Sequence, residues 1–188
     1  MRWMLILAGL LAAMVLWSPP SHAATVLQLD LEAHLQASTA VVEGRVVGAT
    51  QHFGEPGTRP YTSTEIQVDQ VLYGTAPDVL AVRQAGGTYD GVTSRIVGDG
   101  SLKQGERVVL FLREWDDGYW YLTALAQSVY HVLGDEADAP LERDLSGLDL
   151  LERDAEGRVE HVDLTIDAYL DTLPRLRDAV RASGGGVR

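Results

Sequence analysis

Arg107-Val108-Val109-Leu110-Phe111-Leu112-Arg113 sets the architecture. Five apolar residues run without a polar break between two arginines, and a strand buried on both faces reads this way. Asp116-Asp117-Gly118 follows as a hairpin turn signal. Tyr119 to Leu125 then returns, with Trp120 and Leu122 on one face and Tyr119 and Tyr121 on the other. Val129 to Leu133 continues the meander.

Upstream the pattern stays mostly β. Tyr61 to Tyr73 is the clearest strand: Ser63, Glu65, Gln67 and Asp69 alternate with Thr64, Ile66 and Val68. The alternation fails at Val71-Leu72, as it does at a bulge. Val79 to Gln84 is a short strand that Gly86-Gly87 is expected to stop, and Val92 to Val97 forms another. Valine-rich Ala40 to Phe53 reads as a strand broken by Gly54-Glu55-Pro56-Gly57. Asp30 is placed to cap a short helix from Leu31 to Ala37.

Downstream, Gly134 to Asp154 is acidic and reads as loop, with a late strand at Arg158 to Val162. The long C-terminal helix carries an apolar stripe of Ile166, Tyr169, Leu170, Leu173, Leu176 and Val180, with Thr165 as its N-cap. Pro174 is costly inside a helix, by ~3 kcal/mol. A kink is therefore expected there, or two short helices with Thr172 capping the second. Gly184-Gly185-Gly186 ends the order, so residues 183–188 are expected to be a tail.

The N-terminus carries an export pattern. Arg2 precedes an apolar run from Trp3 to Trp17, then Ser18-Pro19-Pro20 and Ser21-His22-Ala23. Small residues at 21 and 23 suit signal peptidase, so residues 1–23 are expected to be removed. A retained anchor needs about 20 apolar residues, more than this run holds. The 165 residues left are enough for one domain, expected over 24–182, with its own core. Losing Arg2 takes the net charge from −12 to −13, which repels phosphate backbones and argues against nucleic acid. The chain has no cysteine, so neither disulfides, nor a lipid-attachment thiol, nor thiolate metal sites are available. A periplasmic or secreted protein with no stable membrane span is expected.

No motif announces catalysis. His34, His52, His131 and His161 form no H-E-x-x-H and no close pair, and each reads as an isolated surface or loop histidine. No G-x-S-x-G elbow is present; an enzyme would have to assemble its site from scattered residues such as His131, Asp116 and Ser128. Glu152, Asp154, Glu156, Glu160 and Asp163 approach the spacing of a calcium loop. Glutamate stands first and aspartate last, however, so Asp154-Ala155-Glu156-Gly157 reads as a β-turn. No metal or cofactor is expected. The aromatic cluster Trp115, Tyr119, Trp120 and Tyr121 is the one candidate platform for stacking a sugar or a base. Trp120 goes to the core, which leaves Trp115, Tyr119 and Tyr121 as candidate binding residues; shielding a barrel rim is the simpler role for them.

Five or six short strands with a packed helix fit a mainly β, α+β domain. A small closed or partly open barrel is preferred over a flat sheet with helices on one face. Five segments carry a resemblance to exported bacterial domains, some of which occur beside matrixin-type metalloproteases. They are Ala37 to Val46, Val68 to Gly74, Arg83 to Gly87, Gly105 to Leu112 and Ala126 to Tyr130. Their order and spacing are similar to those of the netrin-like module of tissue inhibitors of metalloproteinases, an OB-type barrel. The resemblance implies an OB-like barrel and an extracytoplasmic interaction role, with a protein or envelope component as partner. Regulation of an exported metalloprotease is its further implication. The animal inhibitors reach the catalytic zinc through an N-terminal cysteine, which this chain lacks.

Overall fold

The computed structural model describes residues 23–52, 59–89, 92–162 and 171–184. The expected signal peptide up to residue 22, the Gly54–Gly57 break, the Thr165 cap with Ile166, Tyr169 and Leu170, and the tail from residue 185 lie outside them. Five strands close a ring: β2 (Ala40–His52), β3 (Tyr61–Gly74), β4 (Val79–Tyr89), β7 (Trp120–Leu122) and β6 (Arg107–Glu114). β2 pairs with β3 along one edge and with β6 along the other. The ring shuts where β4 meets β7 in parallel at Val82 and Trp120. This is a small OB-like barrel.

Closure requires β2 to bend. Its register with β3 slips between Val41 and Val42, between Glu43 and Gly44, and between Val46 and Gly48. The first slip leaves Leu72 out of the ladder, at the bulge expected from Val71-Leu72. Gly44 sits at the second. A Cβ there would run into the backbone carbonyl of Gln67 and touch Ile66, so the two strands cross too closely for a side chain.

The β6 run is buried on both sides because it separates two cores. Val108, Leu110 and Leu112 point into the barrel with Val42, Val46, Ile66, Leu80, Val82 and Trp120. Val109 and Phe111 point outward into a second layer covered by α1 (Leu31–Ala37) and α2 (Leu173–Gly184). Asp30 caps α1 by accepting from the Ala33 N–H at 2.8 Å. On α2, Leu173, Leu176 and Val180 are fully buried, each worth roughly 1.5–3 kcal/mol over exposure. Pro174 lies in the first turn of α2, two residues after Thr172, where its missing N–H costs nothing.

Glu43 locks this layer. It shares the outward face of β2 with Val41, is only 1 % exposed, and meets two arginines. Arg107 donates from Nη2 at 2.7 Å, and Arg177 of α2 donates from Nε and Nη2 at 2.6–2.8 Å. A carboxylate with both oxygens occupied by guanidinium groups ties β2, β6 and α2 together.

The remaining strands depart most from the sequence reading. Gly86 and Gly87 do not stop β4. With φ of 113° and 155°, they let the strand leave β3 and continue as a hairpin with β5 (Val92–Arg95). A Cβ on Gly86 would sit 2.5 Å from the Ser94 carbonyl. The acidic segment taken for loop contains β9 (Leu141–Glu142) and β10 (Leu148–Arg153). In β10 only Leu148 and Leu150 are buried, so the acidic residues around them masked a short alternation. β10 pairs in parallel with β1 (Ala24–Leu27) and antiparallel with β11 (Val159–His161), forming a separate three-stranded sheet. The strand expected from Tyr119 to Leu125 is shorter: after β7 the chain leaves the ladder for a 3₁₀ turn (Leu125–Ser128) and rejoins β6 as β8 (Val129–Val132).

Candidate functional site

Alternation along β4 and β7 decides what faces outward beside the closure. Val82 and Trp120 pair inside the barrel, so Arg83, Tyr119 and Tyr121 project from its outer surface. Ser63 of β3 pairs with Arg83, which puts Tyr61 on the same surface two residues earlier. The Arg83 guanidinium lies between two rings, its carbon 3.6 Å from the centroid of Tyr119 and 4.1 Å from that of Tyr61. Cation–π contacts of this kind are worth ~0.5–2 kcal/mol each. Arg83 Nη1 donates to Asp117 Oδ2 at 2.9 Å, and the Tyr121 hydroxyl donates to the same oxygen at 2.7 Å. Arg83 Nε is buried with no hydrogen-bond partner among the described residues.

The cluster extends at both ends. His52, closing β2, stacks on Tyr61 with centroids 4.6 Å apart. Trp115, 51 % exposed, meets Tyr121 edge-on at 6.1 Å, and Arg113 lies over its ring. Beside the cluster runs a groove of about 410 Å³ between Val47, Thr50, Ser63, Glu65 and Tyr119. The electrostatics follow the geometry. The Tyr121 hydrogen bond, and then the Tyr119 N–H, hold the Asp117 carboxyl below its usual range. Burial, reinforced by Asp117, raises the Tyr121 phenol. Burial works against the charge on Arg83, yet the phenol oxygens of Tyr121 and Tyr119 outweigh it and raise that group further. The result is a rigid ledge of aromatic faces around one fixed cation.

The three candidate residues are therefore neighbours here. Tyr119 and Tyr121 take part in the Arg83 cluster, and Trp115 joins through Tyr121. Arg83, Tyr61, Asp117 and His52 escaped the sequence reading. Arg83 lies in the expected strand Val79–Gln84 with nothing local to mark its partners, and only the pairing of β3 with β4 brings Tyr61 to it. The alternation of Tyr61, Ser63 and Glu65 on the polar face of β3 was the available signal.

The scattered residues named for an enzyme have different neighbours. His131 Nδ1 lies 3.4 Å from Glu106, while Asp116 belongs to the β6–β7 turn. Ser128 is fully buried against His34, 3.1 Å from its Nε2. His34 corrects the reading of isolated surface histidines: it is 2 % exposed and stacked 4.2 Å from Phe111. It lies at the helix-facing side of β6 because α1 packs there. His161 Nδ1 meets Asp149 at 2.9 Å. Among the described residues no three histidine or acidic side chains converge as metal ligands. Asp154-Ala155-Glu156-Gly157 is the β10–β11 turn, with Asp154 Oδ1 accepting from the N–H groups of Glu156 and Arg158. No described helix is long and apolar enough to cross a membrane. No protein-family model matches the chain, and no curated protein matches it.

Proposed function

We propose that the protein is an exported, non-catalytic binding module that engages a protein or envelope component through the ledge around Arg83. The Arg83 guanidinium, set over the rings of both Tyr61 and Tyr119, which meet edge to face, carries this reading. Aromatic groups left half-open, around an arginine that Asp117 and two rings hold rigid, lose little conformational entropy when a partner arrives. Tyr, Trp and Arg are also the side chains that concentrate binding energy. OB barrels use the corresponding outer face of their second and third strands, with the flanking loops, for ligands; that support is analogy of fold. The net charge of −12 makes a nucleic acid an unsuitable partner. Export rests on the N-terminal pattern, and β1 begins at Ala24, so cleavage after Ala23 would leave that strand whole. Inhibition of an exported metalloprotease, the finer implication of the netrin-like resemblance, would need a contact other than the cysteine amine of the animal inhibitors.

Site-specific photocrosslinking tests the reading. A benzophenone side chain replaces Tyr119, or Arg158 as a control on the β10–β11 turn, in protein exported by living cells. A discrete adduct from position 119, lost on adding Arg83→Ala and absent at position 158, is the expected result. Equal or absent adducts at both positions would overturn the proposal.

A further inference from the structure

Strands β2, β3 and β4 run on past the closed ring. The pairing of β2 with β6 ends at Arg45 and Arg107, whereas its pairing with β3 continues to His52. On the inner face of this extension the residue types change abruptly. Ile66, Leu80 and Val82 line the barrel, and Thr64, Thr62, Gln84 and Gln51 continue the same face beyond it. Water or a polar ligand, not a core, suits that switch.

The space above it is a pocket open to solvent. The β4–β5 hairpin forms one wall and the loop at residues 96–102 the other, leaving a cavity of about 240 Å³. Gln84 holds the loop by donating to the Gly100 carbonyl at 2.7 Å, and Gln51 braces the hairpin by accepting from the Thr88 N–H. Asp99, on the cavity wall, accepts from the Gly100 N–H at 3.0 Å. No cation lies within ion-pairing distance of it among the described residues. Burial raises its carboxyl pKa, against smaller opposing effects from Gln84, Gly100 and the more distant Arg95. A partly desolvated carboxylate therefore sits on the wall of a pocket lined by hydroxyls and side-chain amides.

We propose that this cavity is a second binding site, separate from the Arg83 ledge, for one small uncharged polyol, with Asp99 as the acceptor that orients it. Hydroxyl groups donate to Asp99 and exchange hydrogen bonds with Thr62, Thr64, Gln51 and Gln84, whose side chains both give and receive. Arg95 already offsets part of the negative charge, so an organic cation has less to gain. The volume lies below the ~300–1,000 Å³ of drug-sized sites and suits a single sugar ring, not a chain.

Amide chemical-shift titration of the mature chain tests this, with glucose, N-acetylglucosamine, inositol and glycerol as probes and putrescine as the cationic control. Saturable shifts at Gln84, Gly86, Ser94 and Gly100 with at least one polyol are expected. Asp99→Asn keeps a carbonyl acceptor but removes the charge that strengthens its hydrogen bonds, and should weaken them about tenfold or more. Thr93→Val, on the rim, provides a milder loss should Asp99→Asn not fold, and Tyr119→Ala should leave the titration unchanged. Shifts from putrescine alone, no saturable shift from any polyol, or a titration abolished by Tyr119→Ala would overturn the site. The last result would move the binding to the ledge, so failure of one proposal is distinguishable from failure of the other.

Discussion

Acidification should loosen the protein through His34. The ring is buried between α1 and β6, stacked on Phe111, with Nε2 at Ser128 Oγ. Ser128 Oγ also accepts the Ala124 N–H at 2.6 Å and so holds the entry to the 3₁₀ turn, where Leu125 takes a left-handed φ of 52°. The neutral ring can accept the Ser128 hydroxyl at Nε2; the protonated ring cannot. Burial, helped by the positive charge of Arg143, lowers the His34 pKa from 6.5 to about 3. The unfolded chain therefore takes up this proton near pH 6.5 while the folded one does not, so stability falls with pH between those limits. At 1.36 kcal/mol per pH unit, the full difference is ~5 kcal/mol, and the part lost by pH 4.5 is ~3 kcal/mol. Asp117, Asp144 and Asp154 have lowered values and lose their contributions only further down, as pH falls through the carboxylate range. Asp99, raised, has the opposite sign. The His34→Gln variant isolates the histidine. Urea unfolding of both proteins from pH 7 to 4.5 should show wild-type stability falling ~3 kcal/mol further than the variant's. Parallel curves would refute the reasoning and mean that His34 is protonated in place.

Two substitutions probe the barrel itself. Glu43→Gln removes the charge between Arg107 and Arg177 and should cost about 3–5 kcal/mol in urea unfolding, with amide exchange in α2 accelerating most; an unchanged midpoint would show that the clamp contributes nothing. Gly44→Ala places a Cβ against the Gln67 carbonyl where β2 crosses β3. It should lower the thermal midpoint by several degrees for a loss of about 1–3 kcal/mol, and a wild-type midpoint would mean that the bend relaxes freely.

Legibility differed by element. The strands that form the barrel could be read because their residues alternate or run apolar, and period alone tells which faces are buried. Asp30 and the helix it caps were equally local. β1 and β10 could not be read. Each is short, and the partner that completes it lies more than a hundred residues away in the chain, as Ala24 pairs with Leu148. At the ledge, the hairpin Trp115 to Tyr121 was visible as one segment, but Arg83 and Tyr61 reach it only through strand pairing.

Sequence by itself determined the mainly β class, the placement of Trp120 inward against Tyr119 and Tyr121 outward, and the absence of any thiol chemistry. These follow from side-chain type and backbone period, which act over a few residues. Tertiary structure alone decided that β4 and β7 close the ring, that Glu43 faces two arginines, that His34 is buried, and that Asp99 overlooks a polar cavity. Each of these depends on which distant segments become neighbours. A charged or titratable side chain takes its chemistry from those neighbours, not from its position in the chain.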